Sequence, residues 1–429
     1  MPPDPPPELR PARPGRAAFL GLAVLTLINL FNYLDRLVLP AVLESLKREF
    51  RFTDLQLGLL ATGFVVVYML TSPIFGTLGD RAARPRLIAA GVGIWSLATV
   101  LGGLARGFTS LFLARSTVGV GEAAYGTVSP ALLADYFPVA ERGRVFAVFS
   151  AAIPIGSAAG YVLGGWVDHH FGWRAAFYVA GVPGLLLALL AARLPDPPRG
   201  SQDGLADLHA SHAPAPGVGL GAYLTLLKNV PYVWIVAGYS AYTFGLGALA
   251  IWTPTFLERE RHLAATDATV QFGAIVVATG FVGTVFGGWL GDRLLPRFTA
   301  SYLWVSGVSA LAAVPFAFLA FMAEDRTVYT AAMVVAELFV FMSTGPVNSA
   351  IINVVTPEMR ATSVALSILA IHLLGDVPSP TLIGYVSDRS TLAHAMLILP
   401  FAFALAGLLW CYAAWRGETG RGERRLARN

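Results

Sequence analysis

The chain has 429 residues, of which 55% are hydrophobic and only 13% are charged, and its formal net charge is +4. Soluble domains carry about 25% charged residues, so this composition excludes an ordinary soluble protein. The charge balance gives no sign of a nucleic-acid partner, and we expect none. The single cysteine, Cys411, excludes an internal disulfide and a metal site built on thiolates.

Apolar stretches of 18 or more residues recur along the chain, and each is long enough to cross a bilayer core of about 30 Å. A backbone in lipid must satisfy its own hydrogen bonds, so only helices or a closed barrel can span the membrane. The stretches are too long, and alternate too little, for barrel strands. The predicted fold class is therefore an all-α membrane protein with twelve transmembrane helices in two six-helix bundles.

The polar interruptions predict the domain organisation. A disordered cytoplasmic tail (1–16) precedes an N-terminal six-helix bundle (17–194). A cytoplasmic linker (195–222) joins it to a C-terminal six-helix bundle (223–416), and a basic cytoplasmic tail (417–429) follows. Lys and Arg are roughly twice as frequent in the connections on the side of the termini as on the other side, which predicts that both termini are cytoplasmic.

The first predicted span carries a polar stripe. Asn29, Asn32 and Arg36 recur at i, i+3 and i+7, and so lie on one helical face with Asp35 at its edge. An ionisable residue inside a span costs about 2.5–3.5 kcal/mol on insertion scales and is therefore a functional candidate. We expect this face to line a central cavity, with Asp35 coupling protons and Arg36, Asn29 and Asn32 binding substrate. The alternative is a purely structural role, in which Asp35 and Arg36 clamp the first helix to a neighbouring helix.

A short motif repeats six spans apart. GTLGDR runs from Gly76 to Arg81 at the end of the second span, and GWLGDR runs from Gly288 to Arg293 at the end of the eighth. The shared element, a Gly four residues before an Asp, recurs every third helix, at Gly76/Asp80, Gly164/Asp168, Gly288/Asp292 and Gly384/Asp388. The pattern predicts four three-helix units paired into two halves, with a substrate site near the midplane between them. The alternative is that Gly and Asp are simply common at helix ends.

The fourth span carries Arg115 and Glu122, two turns apart and about 10 Å along the axis, with Gly119 between them. Arginine is a permanent cation suited to phosphate or carboxylate, whereas glutamate can titrate. Our hypothesis is that protonation of Glu122 or Asp35 frees Arg115 or Arg36 to hold substrate, with Gly119 giving the ligand room. A static Arg115–Glu122 bridge is the alternative.

The second half offers weaker candidates. We expect Tyr242 on the seventh span, Asn348 on the tenth and Asp376 on the eleventh to contact substrate. Glu337 and His372 are further polar residues in these spans, and they have either a proton-relay or a packing role. The spans of this half are otherwise apolar. A cavity with one charged wall and one apolar wall suits an amphipathic ligand.

Three stretches resemble motifs of the major facilitator superfamily. GTLGDRAARPR resembles the loop signature between its second and third helices, with Ala83 where that signature has glycine. ARSTVGVGEAAYG (Ala114 to Gly126) resembles the fourth-helix motif with an intramembrane arginine. GSAAGYVLGG (Gly156 to Gly165) resembles the fifth-helix motif of antiporter-type members. The resemblance implies a gating cluster of ion pairs at the cytoplasmic surface, to which we assign Asp80, Arg81, Arg142, Asp292 and Arg293.

Three further stretches are similar to the Spinster branch of that superfamily. They are NYLDR (Asn32 to Arg36), RSTVGVGEAAYGTVSPALLADYFP (Arg115 to Pro138) and HLLGDVPSPTLIGYVSD (His372 to Asp388), and the resemblance extends from Phe19 to Trp415. It implies a proton-coupled secondary transporter, in the inner membrane of a bacterium, that moves a lysophospholipid or a sphingosine-1-phosphate-like lipid by alternating access. We expect a monomer whose partners are this substrate, protons and membrane lipids.

Other functional classes lack their motifs. No GxxxxGK[ST] phosphate loop and no HExxH or Cys/His cluster occurs in the sequence, so we expect no ATP-driven pump, no enzyme, no cofactor and no metal. The energy source should then be an ion gradient. An efflux transporter for drugs or metabolites is an alternative of the same class, and a non-transporting membrane sensor is an alternative of another class.

Overall fold

The structure is a computed structural model that describes residues 14–79, 81–202, 220–355 and 359–426. Across these residues the chain is helical and forms no strand. The helices of the first half are α1 (Arg16–Phe50), α2 (Asp54–Gly79), α3 (Arg84–Gly103), α4 (Phe108–Tyr136), α5 (Val139–Phe171) and α6 (Trp173–Ala191).

The second half begins with a short helix, α7 (Leu220–Lys228). It continues with α8 (Val230–Glu260), α9 (Ala265–Leu294), α10 (Ser301–Met322), α11 (Arg326–Phe341), α12 (Thr344–Asn353), α13 (Arg360–Ile371), a π-helical turn (His372–Asp376), α14 (Pro378–Arg389), α15 (Leu392–Met396) and α16 (Ile398–Leu426).

Eleven stretches of the described chain are long and apolar enough to cross a membrane. The tenth span is made of α11 and α12, and the eleventh is made of α13, the π-helical turn and α14. The remaining span is α4, which carries the charged residues Arg115 and Glu122, has 29 residues and packs against both α2 and α3. The predicted all-helical membrane fold is confirmed, with α4 as the least apolar of its spans.

Most of the predicted tails and linker lies outside the described residues, namely 1–13, 203–219 and 427–429. At the carboxyl end the helix does not stop at the predicted bundle boundary of residue 416, because α16 continues to Leu426.

Small residues let the helices of the first half approach closely, as is usual between transmembrane helices. A Cβ at Gly119 would lie 2.6 Å from the backbone oxygen of Phe64 on α2, and one at Gly121 would lie 2.6 Å from the backbone nitrogen of Trp95 on α3. Helix α4 is therefore wedged between α2 and α3, while α1 packs along α5. This arrangement brings the polar face of α1 next to α4.

The two halves meet along two helix pairs, α2 with α14 and α5 with α9. Gly58 of α2 lies against the backbone of Pro380, and Gly165 of α5 lies against Thr269 of α9. These glycines lie near the α1–α2 end of the bundle, where α1 ends and α2 begins.

A dense polar network joins the halves at this same end, and Asp54 is at its centre. Asp54 accepts hydrogen bonds from Lys47 at 2.6 Å and from Arg259 of the other half at 2.6 Å. Asp388, at the end of α14, accepts the backbone N–H groups of Asp54 and Leu55 at 2.7 and 2.8 Å. A carboxylate at a helix N-terminus is stabilised by the unpaired N–H groups and the helix dipole there.

Three more contacts extend the network. Arg259 also binds Glu44 at 2.9 Å, Ser387 donates to Asp54, and Arg48 of α1 pairs with Glu258 of α8 at 3.0 Å. We call this network, made of Glu44, Lys47, Arg48, Asp54, Glu258, Arg259, Ser387 and Asp388, the α1–α2 seal. It closes the interface between the halves at that end.

Candidate functional site

Two ion pairs connect α1 to α4 in the middle of the first half, and they are crossed. Arg36 donates through Nε to Oε2 of Glu122 at 2.6 Å. Arg115 lies with Nη1 at 3.7 Å from Oδ1 of Asp35. Each helix therefore supplies one cation and one carboxylate, and each pair joins the two helices. The static Arg115–Glu122 bridge considered from the sequence is not formed, whereas Asp35 and Arg36 each pair with a residue of the neighbouring α4.

The crossing follows from helix geometry. Asp35 and Arg36 are neighbours in sequence, so their side chains leave α1 about 100° apart and cannot face each other. Asp35 points toward α3, where the hydroxyl of Thr99 donates to its Oδ2 at 2.7 Å. Arg36 points toward α2 and reaches Glu122 on α4 from there. Thr99 was not among the site residues predicted from the sequence.

Three aromatic rings surround the guanidinium of Arg36. Its Cζ lies 5.1 Å from the ring centre of Tyr33, 5.2 Å from that of Phe64 and 5.1 Å from that of Tyr68. Phe64 also faces Arg115 at 5.5 Å. Cations over aromatic faces are stabilised by about 0.5–2 kcal/mol each. The rings hold the cation in place and give its surroundings an apolar character.

The two pairs differ in accessibility. The side chain of Arg36 is 25% exposed, whereas that of Arg115 is 3% exposed and those of Asp35 and Glu122 are fully buried. Arg36 is therefore the most accessible of the four charged side chains.

Several buried polar atoms of the site have no hydrogen-bond partner. They include Oδ1 of Asp35, Oε1 of Glu122, Nε and Nη1 of Arg115 and Nδ2 of Asn32. Buried polar atoms in proteins are nearly always paired, so a cluster of free ones requires an explanation. With every group ionised the two pairs sum to zero charge, and one added proton leaves a net positive charge. The two carboxylates therefore each have an oxygen without a hydrogen-bond donor, at which a proton can bind.

Two predicted site residues of the first half have packing roles. Asn29 is buried and donates to the backbone oxygen of Phe149 on α5 at 2.9 Å, so it fastens α1 to α5. Gly119 faces the backbone of α2, and this contact occupies the space that we had predicted for a ligand.

The predicted residues of the second half lie on three different spans. Tyr242 is buried, and its hydroxyl is 3.1 Å from the backbone oxygen of Val340 and 3.2 Å from the hydroxyl of Thr344. Asn348 is exposed and donates to the backbone oxygen of Thr344 at 2.8 Å. Asp376 lies on the π-helical turn and is paired with Nδ1 of His372 at 2.8 Å. π-helical turns inside helices are often found at functional sites.

The predicted gating residues are only partly described. Asp80 and the side chain of Arg142 lie outside the described residues. Arg81 is exposed, Asp292 accepts a hydrogen bond from the hydroxyl of Tyr302 at 2.7 Å, and Arg293 lies 5.8 Å from the ring centre of Trp289. Asp292 and Arg293 thus contact aromatic side chains of their own half.

Arg84 forms strong polar contacts of the kind that we had expected of Asp80 and Arg81. It is buried and binds Asp135 of α4, Asp196 at 2.8 Å and the backbone oxygen of Pro197 at 2.6 Å. Arg84 was not among the gating residues predicted from the sequence, and its partner Asp196 comes from the linker 112 residues later. Ala83 before it has φ −66°, a conformation open to any residue, so the glycine of the family signature is not needed here.

The chain is similar in sequence to known membrane transporters. The family model of the Major Facilitator Superfamily matches residues 25–375. Protein spinster homolog 3 of Danio rerio is 34% identical over 92% of this chain and 84% of its own length. Protein spinster homolog 1 of Homo sapiens is 36% identical over 88% of this chain and 74% of its own length. The chain belongs to the spinster branch of the Major Facilitator Superfamily.

Solved structures agree with this assignment at the level of the fold. A bacterial homolog of the human lysosomal transporter spinster, in an inward-facing and unoccupied conformation, has a TM-score of 0.83 at 24% identity and covers 93% of this chain and 97% of its own. A D-xylose-proton symporter has a TM-score of 0.67 at 17% identity, covering 93% of this chain and 96% of its own. The predicted family and fold are confirmed, and the chain is a multi-pass membrane transporter of the spinster type.

Proposed function

We propose that this spinster-type protein is a proton-coupled secondary transporter that moves an amphipathic lipid, such as a lysophospholipid or a sphingosine-1-phosphate-like molecule, by alternating access. It works as a monomer in the bacterial inner membrane with both termini in the cytoplasm. The observation that carries the proposal is the pair of crossed ion pairs between α1 and α4, with two buried carboxylates next to two arginines.

The chemistry of these pairs supports coupling to protons. A proton on Glu122 removes the charge that holds Arg36, and the guanidinium is then free to bind an anion. Loss of the proton restores the pair and releases the anion. Because Arg36 is the accessible cation and Glu122 is fully buried, the anion and the carboxylate compete for one guanidinium.

The surroundings of Arg36 support an amphipathic substrate. Phosphate or carboxylate suits the guanidinium fork, while Tyr33, Phe64 and Tyr68 offer apolar faces next to it. In the second half Asp376 is paired with Nδ1 of His372 at 2.8 Å, so this carboxylate already has a partner. The guanidinium of Arg36 lies beside aromatic rings, and the opposite wall is mostly apolar. This combination matches a lipid with one ionic end.

The α1–α2 seal supports alternating access. With both termini in the cytoplasm, as the positive-inside rule predicts, the sealed end faces the exterior. Cβ atoms at Gly76 and Gly288, near the opposite end of the bundle, would have no neighbour within 4 Å. This difference between the two ends is expected of a cavity that opens to the cytoplasm in this conformation.

The direct test is uptake of labelled lysophospholipid and sphingosine-1-phosphate by proteoliposomes with and without an imposed pH gradient. We expect uptake of one of them to rise when the gradient is applied and to fall when an ionophore removes it. Gradient-independent uptake would remove the proton coupling. Flux of neither lipid through folded protein would remove the lipid substrate and favour a drug or metabolite transporter of the same family.

A further inference from the structure

A third carboxyl is buried within the membrane-spanning part, in the second half of the molecule. Glu337 lies on α11 and is 2% exposed. Its one hydrogen-bond donor among the described residues is the hydroxyl of Thr279 on α9, at 3.2 Å from Oε2, and its Oε1 has no partner. The crossed pairs of α1 and α4 do not involve it.

The helices around Glu337 supply no cation at its depth. Helix α11 packs against α9 and α10. Helix α10 contains no Asp, Glu, Lys, Arg or His, and α9 has charged residues only toward its ends, at Asp267, Asp292 and Arg293. The titratable group that faces Glu337 from the other half is Tyr161 of α5, which interacts with it electrostatically.

An ionised carboxylate in these surroundings would be an uncompensated buried charge. Such a charge is far more costly than a neutral acid that keeps one hydrogen bond. Glu337 is therefore uncharged in this conformation and holds a proton. Glu122 differs, because Arg36 stabilises its ionised form at 2.6 Å.

Glu337 lies on the α1–α2 side of the middle of its own span. This span runs from Arg326, at the α1–α2 end, to Asn353, so Glu337 follows its first residue by eleven positions and precedes its last by sixteen. Glu337 thus belongs to the layer between the middle of the span and the α1–α2 seal.

Tyr161 closes this layer across the two halves. Its hydroxyl donates to the backbone oxygen of Ala250 on α8 at 2.7 Å, and its ring stacks edge-on against Phe272 of α9, with centroids 5.1 Å apart. It also packs against Gly273. The contacts with Phe272 and Gly273 belong to the α5–α9 interface, which has to separate when the α1–α2 end opens.

We propose that Glu337 is a second proton-binding carboxyl of this transporter, one that is sealed in the present conformation and reached from the α1–α2 end when α5 and α9 separate. On opening, its O–H bond breaks and the proton passes to water on that side, and on closing the carboxylate takes a proton back. The inference rests on the alternating access proposed above, but it does not depend on the identity of the transported lipid.

The test is infrared spectroscopy of the purified full-length protein, which needs no transported substrate. We expect wild type at neutral pH to show the carbonyl band of a protonated carboxyl that is lost in Glu337→Gln and kept in Glu122→Gln. In the matched variant Thr279→Val the band should remain at a shifted frequency, because only the hydrogen bond is removed. An unchanged band in a correctly folded Glu337→Gln protein would overturn the proposal.

A second measurement tests access. In wild type the Glu337 band should persist as the pH is raised, whereas in Arg259→Ala, which weakens the α1–α2 seal, it should disappear over the same range. A band that persists equally in both proteins would make Glu337 a permanently protonated structural acid and overturn its role in proton binding. Failure of lipid uptake with these spectra intact would count against the proposed substrate alone.

Discussion

At the scale of single residues, Arg36 is central to both the substrate binding and the proton coupling proposed above. It is held by Glu122 at 2.6 Å and by three aromatic rings at 5.1–5.2 Å. If an anion replaces Glu122 as the partner of Arg36, the guanidinium keeps its three aromatic contacts. The anion then has to match only the ion pair that Arg36 makes with the Glu122 carboxylate. Protonation of Glu122 removes the competitor altogether.

The first prediction concerns stability. Arg36→Ala leaves Glu122 buried without its cation, and breaking a buried pair in this way costs about 3–5 kcal/mol. We expect a clear fall in the apparent Tm of Arg36→Ala, measured by thermal unfolding in detergent. The double variant Arg36→Ala/Glu122→Gln should regain much of that loss, because the uncompensated charge is gone. A double variant no more stable than Arg36→Ala would contradict the assignment of this pair.

The second prediction concerns pH. If binding of an anionic lysolipid requires a proton on Glu122, its apparent affinity falls by up to about tenfold for each unit of pH above the titration of that group. We expect binding to strengthen as the pH falls, measured by equilibrium binding of a lysophospholipid whose phosphate stays ionised over the range. Glu122→Gln, which mimics the protonated form, should bind tightly with little pH dependence. Equal pH dependence in both proteins would disprove the competition.

At the scale of helices, glycines distinguish the two ends of the bundle. Gly58 and Gly384 allow α2 and α14 to touch backbone to backbone at the α1–α2 seal, whereas Gly76 and Gly288 have open space around their Cα atoms. Among the glycines of the Gly–Asp repeat, Gly384 is therefore in close contact at the α1–α2 end, whereas Gly76 and Gly288 have no close neighbour at the other. Asp388 also forms contacts at the α1–α2 end, because it accepts the backbone N–H groups at the start of α2 across the interface.

The third prediction follows from these contacts. A methyl group at Gly384 would collide with the backbone oxygen of Asp54, so Gly384→Ala should disfavour the sealed conformation. Gly288→Ala is the matched control, since a Cβ there meets nothing within 4 Å. Distances between spin labels on α2 and α14 should lengthen in the first variant and stay unchanged in the second. Identical distance distributions in the two variants would contradict this account of the seal.

The fourth prediction concerns the ion pairs of the seal. Arg259→Ala removes contacts to both Asp54 and Glu44 across the halves, and each ~1.4 kcal/mol lost shifts the ratio of open to sealed molecules about tenfold. Arg174→Ala is the control, because the Arg174–Glu49 pair lies within the first half. We expect a cysteine placed beneath the seal to label faster in Arg259→Ala only. Equal labelling rates would show that the seal does not depend on Arg259.

At the scale of the whole molecule, the sequence predicts the fold well because its signals are local. Twelve apolar stretches and a motif repeated six spans apart require only neighbouring residues to be recognised. The charged residues of the site were also predictable, since a charge within an apolar span stands out by itself. Asp35, Arg36, Arg115 and Glu122 were named for that reason.

Their pairing was not predictable, because it depends on how α1 and α4 are rotated against each other. Spacing along α4 suggested a bridge between Arg115 and Glu122, but packing gives each of them a partner on α1. The seal and the Asp196 contact of Arg84 were missed for a related reason. The Arg84–Asp196 contact and the contacts of the seal between the two halves join residues separated by 112 to 334 positions, and such contacts leave no trace in a single sequence.

The central claim is that a proton on Glu122 drives transport, and it is tested most directly by comparing two fluxes in the same proteoliposomes. For a lysophospholipid we expect wild type to show both gradient-driven uptake and exchange without a gradient. Glu122→Gln should retain exchange, because the binding site and the seal remain, while gradient-driven uptake falls to the level without a gradient. Undiminished gradient-driven uptake in Glu122→Gln would contradict the account.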